Sequence, residues 1–292
     1  MMPDERRSRR SHTAEGAAAV RATAHRDADP RLRNPDYLAE RFLGPLLWLR
    51  ACWKPVRPLT VWTIQRLLPG FYRFVVARTK HFDSILLGEV QSGVTQVVIL
   101  GAGADSRAYR FAAQLTGSTV FELDHPLTSA WKQRRVRKLF GELPAHVRYA
   151  GVDFDHESLA DALDRAGVDR AKPALFLWEG VTHYLTAAAV DATLAEVATF
   201  PARSSIVFDY FYGEAFAEPP VYPDVLKYKA YTAKHGELIV FGIDQDYVPA
   251  FVAQRGLRLS SNLAGPELSA RYTDGDPRML AFSPIAHARV PG

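Results

Sequence analysis

The chain has 292 residues, a net charge of +4, and 48 % apolar against 23 % charged residues, an ordinary balance for a globular protein able to bury a proper core. That length suits one large α/β domain or a domain with a substantial insertion. The single cysteine, Cys52, excludes an internal disulfide and any zinc cluster built on thiolates.

Much of the excess charge sits in Arg6-Arg-Ser-Arg-Arg10. Glu15, Gly16 and Arg21 interrupt the apolar run that an export signal would need behind it. Residues 1–10 therefore read as a disordered, basic, solvated tail on a cytoplasmic protein, with no nucleic-acid partner implied. Ser11 or Thr13 can cap a helix through about residue 24, and the charged stretch 25–35 reads as a connector.

Residues 36–76 are dense in apolar and aromatic side chains: Phe42-Leu-Gly-Pro-Leu-Leu-Trp-Leu49, then Trp53, Trp62, Ile64, Leu67, Leu68, Phe71, Tyr72 and Phe74. Pro45, Pro55, Pro58 and Pro69 cut this region into several short helices. No run reaches the roughly eighteen uncharged apolar residues of a membrane span. The expectation is a helical cap over residues 11–90 that also serves as a lid over a greasy pocket. A surface that touches membrane peripherally is the other functional reading.

From Gln96 strands and helices alternate, with strands expected at 96–100, 119–123, 147–151, 174–178 and 204–209. Helices fill the gaps at about 105–115, 126–140, 156–166 and 187–199, with Asp155 and Thr186 as N-caps. That rhythm predicts a doubly wound parallel sheet over residues 91–292. A Pro-rich insertion occupies about 211–242. A helix near 244–255 and two closing strands, 257–261 and 279–288, would complete a mostly parallel sheet of seven strands.

The stretch Gln96-Val-Val-Ile-Leu-Gly-Ala-Gly-Ala-Asp-Ser-Arg107 runs a short apolar strand into a Gly101-Ala-Gly103 turn and a helix. Two glycines allow a sharp turn and close approach of a ligand to the backbone. About twenty residues on, Val120-Phe-Glu122-Leu-Asp124 ends in acids, at the spacing by which a Rossmann-type unit grips ribose hydroxyls. The third glycine of a dinucleotide pattern is replaced by Ser106, and Asp105 would repel a pyrophosphate. A nucleoside cofactor without phosphates is implied, and S-adenosylmethionine fits best. An NAD-dependent dehydrogenase is disfavoured on the same grounds.

Together with Arg78-Thr-Lys-His-Phe-Asp83, Phe121-Glu-Leu-Asp-His-Pro126, Trp178-Glu-Gly-Val-Thr-His-Tyr-Leu185 and Phe241-Gly-Ile243, this stretch resembles the leucine carboxyl methyltransferase family. It is most similar to the bacterial branch with polyketide-type O-methyltransferases. The resemblance covers about residues 11–275. It implies a class I methyltransferase fold, S-adenosylmethionine as donor, and O-methylation, often of a carboxylate.

The resemblance places Asp124 on the ribose diol, with Glu122 as the near alternative; otherwise Glu122 would pair with a neighbouring Arg. It gives Asp153 the adenine amino group and Phe154 a backbone contact or stacking face. Arg78 suits the methionine carboxylate as a bidentate partner, unless it merely pairs with Asp83 on its own helix. Arg21 corresponds loosely to a basic residue closing over the same carboxylate, or is a solvated arginine. Glu179, at the carboxyl end of a strand, suits the methionine ammonium, with a helix-cap or salt-bridge role as the alternative.

Displacement at a sulfonium mainly requires alignment and exclusion of water. A carboxylate acceptor needs no base at neutral pH, whereas a hydroxyl benefits from one. His183 is the candidate, either as that base or as a hydrogen-bonding replacement for a side-chain amide. Tyr184 reads as pocket lining that can hydrogen-bond the acceptor. Tyr210 and Arg271 are further pocket candidates, the latter as a clamp on a substrate carboxylate or as a surface residue. His125, His146 and His156 show no ligand spacing, so no metal is expected. The leading function is thus S-adenosylmethionine-dependent O-methylation of a carboxyl or hydroxyl group on a hydrophobic small molecule, in specialised metabolism. The alternatives are methylation of a protein C-terminal carboxylate, or a non-catalytic binding or scaffold protein.

Overall fold

A computed structural model describes residues 12–153 and 157–292. The basic tail, Phe154, and the expected cap residue Asp155 lie outside the described residues. Five strands run parallel: β1 Gln96–Leu100, β2 Thr119–Asp124, β3 Val147–Gly151, β4 Ala174–Trp178 and β5 Ser205–Asp209. Two more, β6 Arg258–Leu263 and β7 Ile285–Arg289, close the sheet in the order β3-β2-β1-β4-β5-β7-β6. β7 is antiparallel to both of its neighbours, so the sheet is mixed.

The sequences explain the positions. β1, β4 and β5 read QVVIL, ALFLW and SIVFD and are buried throughout, as expected of central parallel strands covered on both faces. The edge strands β3 and β6 carry arginine, serine and asparagine and are partly exposed. The last strand begins six residues later than expected. Residues 279–284 instead cross the end of the sheet, where the carbonyls of Phe282 and Pro284 accept from Tyr212 and Tyr210 N–H.

Ahead of the sheet lie α1 His12–His25, α2 Pro45–Cys52, α3 Arg57–Leu67 and α4 Phe71–Gln91. The prolines at the first turns of α2 and α3 pre-set the helical φ where no backbone N–H is needed. The apolar residues of the cap divide sharply: Phe42, Tyr72 and Phe74 are buried, whereas Leu46, Trp48, Leu49, Trp53, Leu59, Trp62 and Leu67 face outward. α4 is 21 residues long and carries Arg73, Arg78, His81, Asp83 and Glu89 on buried positions, so it brings polar side chains into the body of the molecule.

Between the strands run α5 Arg107–Arg110, α6 Pro126–Phe140, α7 Leu159–Ala166 and α8 Ala187–Ala198. α5 is far shorter than the expected 105–115, because Ser106 and Arg110 turn inward to charged partners. Ser158 caps α7 by accepting from Asp161 N–H, and Thr186 caps α8 by accepting from Ala189 N–H. After β5 follow α9 Val225–Lys234, α10 Val248–Ala253 and α11 Gly265–Tyr272; α9 and α11 have no counterpart among the expected helices. Strand order reverses between β1 and β4, which places the crevice of an open α/β sheet beyond the carboxyl ends of these two strands.

Candidate functional site

The Gly101-Ala-Gly103 turn leaves β1 at that crevice. Gly101 and Gly103 have φ of 67° and 41°, a region that disfavours side chains. Gly101 and Ala102 N–H both donate to the carbonyl of Leu123, at 2.9 and 3.1 Å, which ties the turn to β2. A Cβ on Gly101 would lie 2.7 Å from Val181 Cγ2, and one on Gly103 would lie 3.0 Å from Ala14 Cβ. The missing side chains therefore let α1 and the segment after β4 settle on the turn. Asp124, at the end of β2, accepts from Gly103 N–H and from His125 N–H. Burial raises its pKa from the ordinary value, against the opposing pull of these two donors.

Beside the turn runs a chain of alternating charges. Arg21 on α1 donates to Asp36 at 2.8 Å and to the carbonyl of Ala104 at 2.7 Å. Asp36 also accepts from Ser106 at 2.6 Å and lies 3.4 Å from Arg110. Arg110 and Arg107 share Asp83 at 2.8–2.9 Å. Arg107 continues to Asp105 and to Glu179, the latter at 2.7 Å. Glu179 lies 3.0 Å from Arg78, whose Nη1 donates to Asp209 at 2.6 Å. Asp209 ends β5 and also accepts from Gly180 N–H at 2.6 Å, while its carbonyl accepts from the Thr182 hydroxyl at 2.5 Å. Four guanidiniums meet five carboxylates, which leaves one negative charge over.

This pairing sets the ionisation of the acids. Burial would raise Glu179, but Arg107 and Arg78 hold it below its ordinary value. Burial likewise opposes ionisation of Asp105, and Arg107 overcomes it, bringing the group to about 2. His183 sits in the single turn Thr182–Tyr184 just beyond Glu179. Its ring stacks on Phe211 with centroids 4.7 Å apart and planes 9° apart. Burial lowers its pKa to about 4, the Asp209 charge only partly opposing, and its buried Nδ1 has no hydrogen-bond partner among the described residues.

Of the site residues expected from sequence, the structure brings Arg78, Gly101, Gly103, Asp124, Glu179 and His183 to the carboxyl ends of the strands, and Arg21 over the turn beside them. Arg78 pairs with Glu179 and Asp209 rather than with Asp83, and Arg21 is buried rather than solvated. Tyr184 is half-buried, its ring centroid 4.1 Å from that of His183. Asp153 follows β3 and is half-buried, its carbonyl accepting from Glu157 N–H. Phe154 lies outside the described residues.

Three other expected site residues are placed as follows. Glu122 points into the protein, 2.9 Å from Lys132 and 3.1 Å from the Tyr109 hydroxyl, so the basic residue it pairs with is a lysine rather than an arginine. Burial raises it to about 7. Tyr210 is fully buried and donates to Asn262 on β6 at 3.1 Å, linking the end of β5 to β6. Arg271 is exposed and lies over the Tyr272 ring at 5.6 Å, the surface position that was the alternative to a clamp.

Arg107, Asp209 and Asp36 received no role from sequence. Asp209 carried the signal used for Glu179, an acid closing an apolar strand. Arg107 carried a subtler one, a basic residue two positions after Asp105 at a helix start. Asp36 carried none, because its partners lie 15 and 70 residues away.

Comparison with known proteins agrees with this geometry. The profile of the family described as leucine carboxyl methyltransferase matches residues 14–198. A Mycobacterium tuberculosis protein, described provisionally as an S-adenosyl-L-methionine-dependent methyltransferase, is 30 % identical over 281 residues, covering 89 % of this chain and 87 % of its own. A Mycobacterium marinum protein of the same description is 33 % identical over 218 residues, covering 72 % and 67 %. Among solved structures, a provisionally described methyltransferase from Thermobifida fusca superposes with a TM-score of 0.59 at 14 % identity, covering 94 % of both chains. A DUF574 family protein from Streptomyces avermitilis gives 0.53 at 15 % identity, covering 82 % and 92 %. These two structures establish the class of fold.

Proposed function

The chain belongs to the leucine carboxyl methyltransferase family, and from that footing we propose that it is an S-adenosylmethionine-dependent O-methyltransferase for a carboxyl group on a hydrophobic small molecule of specialised metabolism. The residues present suit the donor. The glycine turn puts bare backbone at the crevice, Asp124 can accept from a ribose diol, and Glu179 and Arg78 can take an ammonium and a carboxylate. The surplus negative charge in the ion-pair chain complements the net positive charge of a sulfonium cofactor. When bound, S-adenosylmethionine supplies a methyl group on positively charged sulfur, displaced in line with a neutral thioether leaving.

The protein's own work is positioning and drying. Ala14 lies against Gly103 and Arg21 on the Ala104 carbonyl, so α1 covers the turn and shields it from water. Arg107 and Asp209 hold Glu179 and Arg78 in place from below. Apolar rings flank the crevice on the His183 side: Phe211 packs on Tyr228 and Phe282, with centroids 6.4 and 5.1 Å away, which favours a hydrophobic acceptor.

The observation that carries the carboxyl reading is His183. With its pKa lowered to about 4, it is a poor base for a phenol or alcohol at neutral pH. A carboxylate is already ionised and needs none. The neutral imidazole, with a free buried Nδ1, can instead donate to an acceptor oxygen and orient it. Two measurements test this. Calorimetry with S-adenosylmethionine should show binding, and none by the folded protein would defeat the reading. A screen of aromatic and aliphatic acids against phenols with labelled donor should give methyl esters. Transfer to phenols but not to acids would overturn the carboxyl assignment.

A further inference from the structure

The cap carries an exposed apolar surface built from residues outside the site described above. On α2 and its C-cap, Leu46, Leu49 and Trp53 follow i, i+3, i+7 and face outward; Leu59, Trp62 and Arg66 repeat that spacing on α3. α3 buries no residue fully; only Val61 and Ile64 rest against the small cluster of Val20, Tyr72, Val75 and Val76. Leu59 and Trp62 are 62 % and 61 % exposed. The chain has five tryptophans; Trp131 and Trp178 are buried, while Trp48, Trp53 and Trp62 all stand exposed on this one hairpin. An apolar face of this kind is costly to leave in water unless something covers it.

The charge pattern indicates what covers it. From residue 41 through 82 the chain has no aspartate or glutamate, while Arg50, Lys54 and Arg66 project beside the exposed rings. Tryptophan and leucine interleaved with cations, on helices of 8 and 11 residues too short to cross a bilayer, suit an element that lies in the plane of a membrane interface. No helix among the described residues is long and apolar enough to span one.

We propose that the α2–α3 hairpin docks this protein on an anionic lipid bilayer, with the tryptophan and leucine side chains at headgroup depth and Arg50, Lys54 and Arg66 on lipid phosphates. α1, which covers the glycine turn, packs against both docking helices. The proposal rests on this surface alone and does not depend on the methyl-transfer reading.

Co-sedimentation of the full chain with vesicles tests it without any turnover. The protein should pellet with phosphatidylglycerol–phosphatidylcholine vesicles and stay in solution with phosphatidylcholine alone. Raising salt from about 50 to about 500 mM should release it. Trp53→Ser/Trp62→Ser, and separately Arg50→Glu/Lys54→Glu/Arg66→Glu, should each lower the bound fraction about tenfold or more. Both variants should keep S-adenosylmethionine binding, which reports an intact fold. Failure of the unaltered protein to pellet with anionic vesicles would overturn the proposal, as would equal binding to neutral ones. Sedimentation equilibrium showing a dimer that Trp62→Ser disperses would also overturn it, by assigning the face to a second copy of the chain.

Discussion

Arg78→Met is the most informative single change, because Arg78 closes the ion-pair chain at the crevice. Methionine keeps an unbranched stem of similar reach and removes the guanidinium. Glu179 would retain Arg107, and Asp209 would retain only its hydrogen bond from Gly180 N–H, so a carboxylate with no exposed surface would lose its cation. Breaking a buried pair by deleting one partner costs about 3–5 kcal/mol. With an unfolding entropy of about 2 cal/mol/K per residue, roughly 0.6 kcal/mol/K for the whole chain, the midpoint should fall by about 5–8 °C.

Calorimetric melting at neutral pH, with and without S-adenosylmethionine, is the assay. Donor at about a hundred times its Kd should add about 2.7 kcal/mol to the unaltered protein, or about 4 °C, and little to the variant. The sign of the pH dependence follows from Glu179. Its folded pKa is lowered, so its stabilising contribution is present above the unfolded value and is lost as pH falls through the folded one. Without Arg78 that loss should begin at higher pH. Adding Asp209→Asn to Arg78→Met should recover part of the deficit, since it removes the stranded charge. A variant that melts within about 1 °C of the parent and still gains from the donor would refute this account of the site.

Asp124→Ala should weaken donor binding by about tenfold or more in titration calorimetry, since about 1.5–3 kcal/mol goes with each charge-assisted hydrogen bond lost; unchanged affinity would remove Asp124 from the cofactor. His183→Asn should retain most methyl transfer to an acid and lose it in His183→Phe, because the amide can still offer a donor. The parent's rate should stay flat between about pH 6 and 8, given an imidazole pKa of about 4, and a titration step near 6.5 would contradict a neutral His183. His81 and His287 are also buried and held neutral, at about 4 and about 3, chiefly by burial. Their folded values lie below the unfolded one near 6.5, so the stability they provide is full above that pH and falls as pH drops toward 4. Together they should cost several kcal/mol across that window, and His287→Gln should flatten the acid limb of a denaturation series; an unchanged limb would count against the assignment.

The sheet was legible in the sequence because central strands buried on both faces must be apolar end to end, and QVVIL, ALFLW and SIVFD could be little else. The crevice was legible for the same reason, since polar residues closing such strands stand out: Gly101, Asp124 and Glu179 all lie where their position in the chain implied. Partnerships were not. Glu122 and Asp124 are two residues apart on one strand, yet one meets Lys132 in the interior and the other the Gly103 amide. The packing of α6 and of Tyr109 against β2 separates them. Asp36, Asp83 and Asp209 entered the ion-pair chain from three distant stretches, and burial pushed His183 away from the pKa that made it look like a base. Local pattern thus determined which residues stand at strand ends and which are apolar. The tertiary structure alone decided which charges neutralise one another, which groups lose their water, and that half of a greasy cap faces outward, because each depends on what other segments bring to the same place.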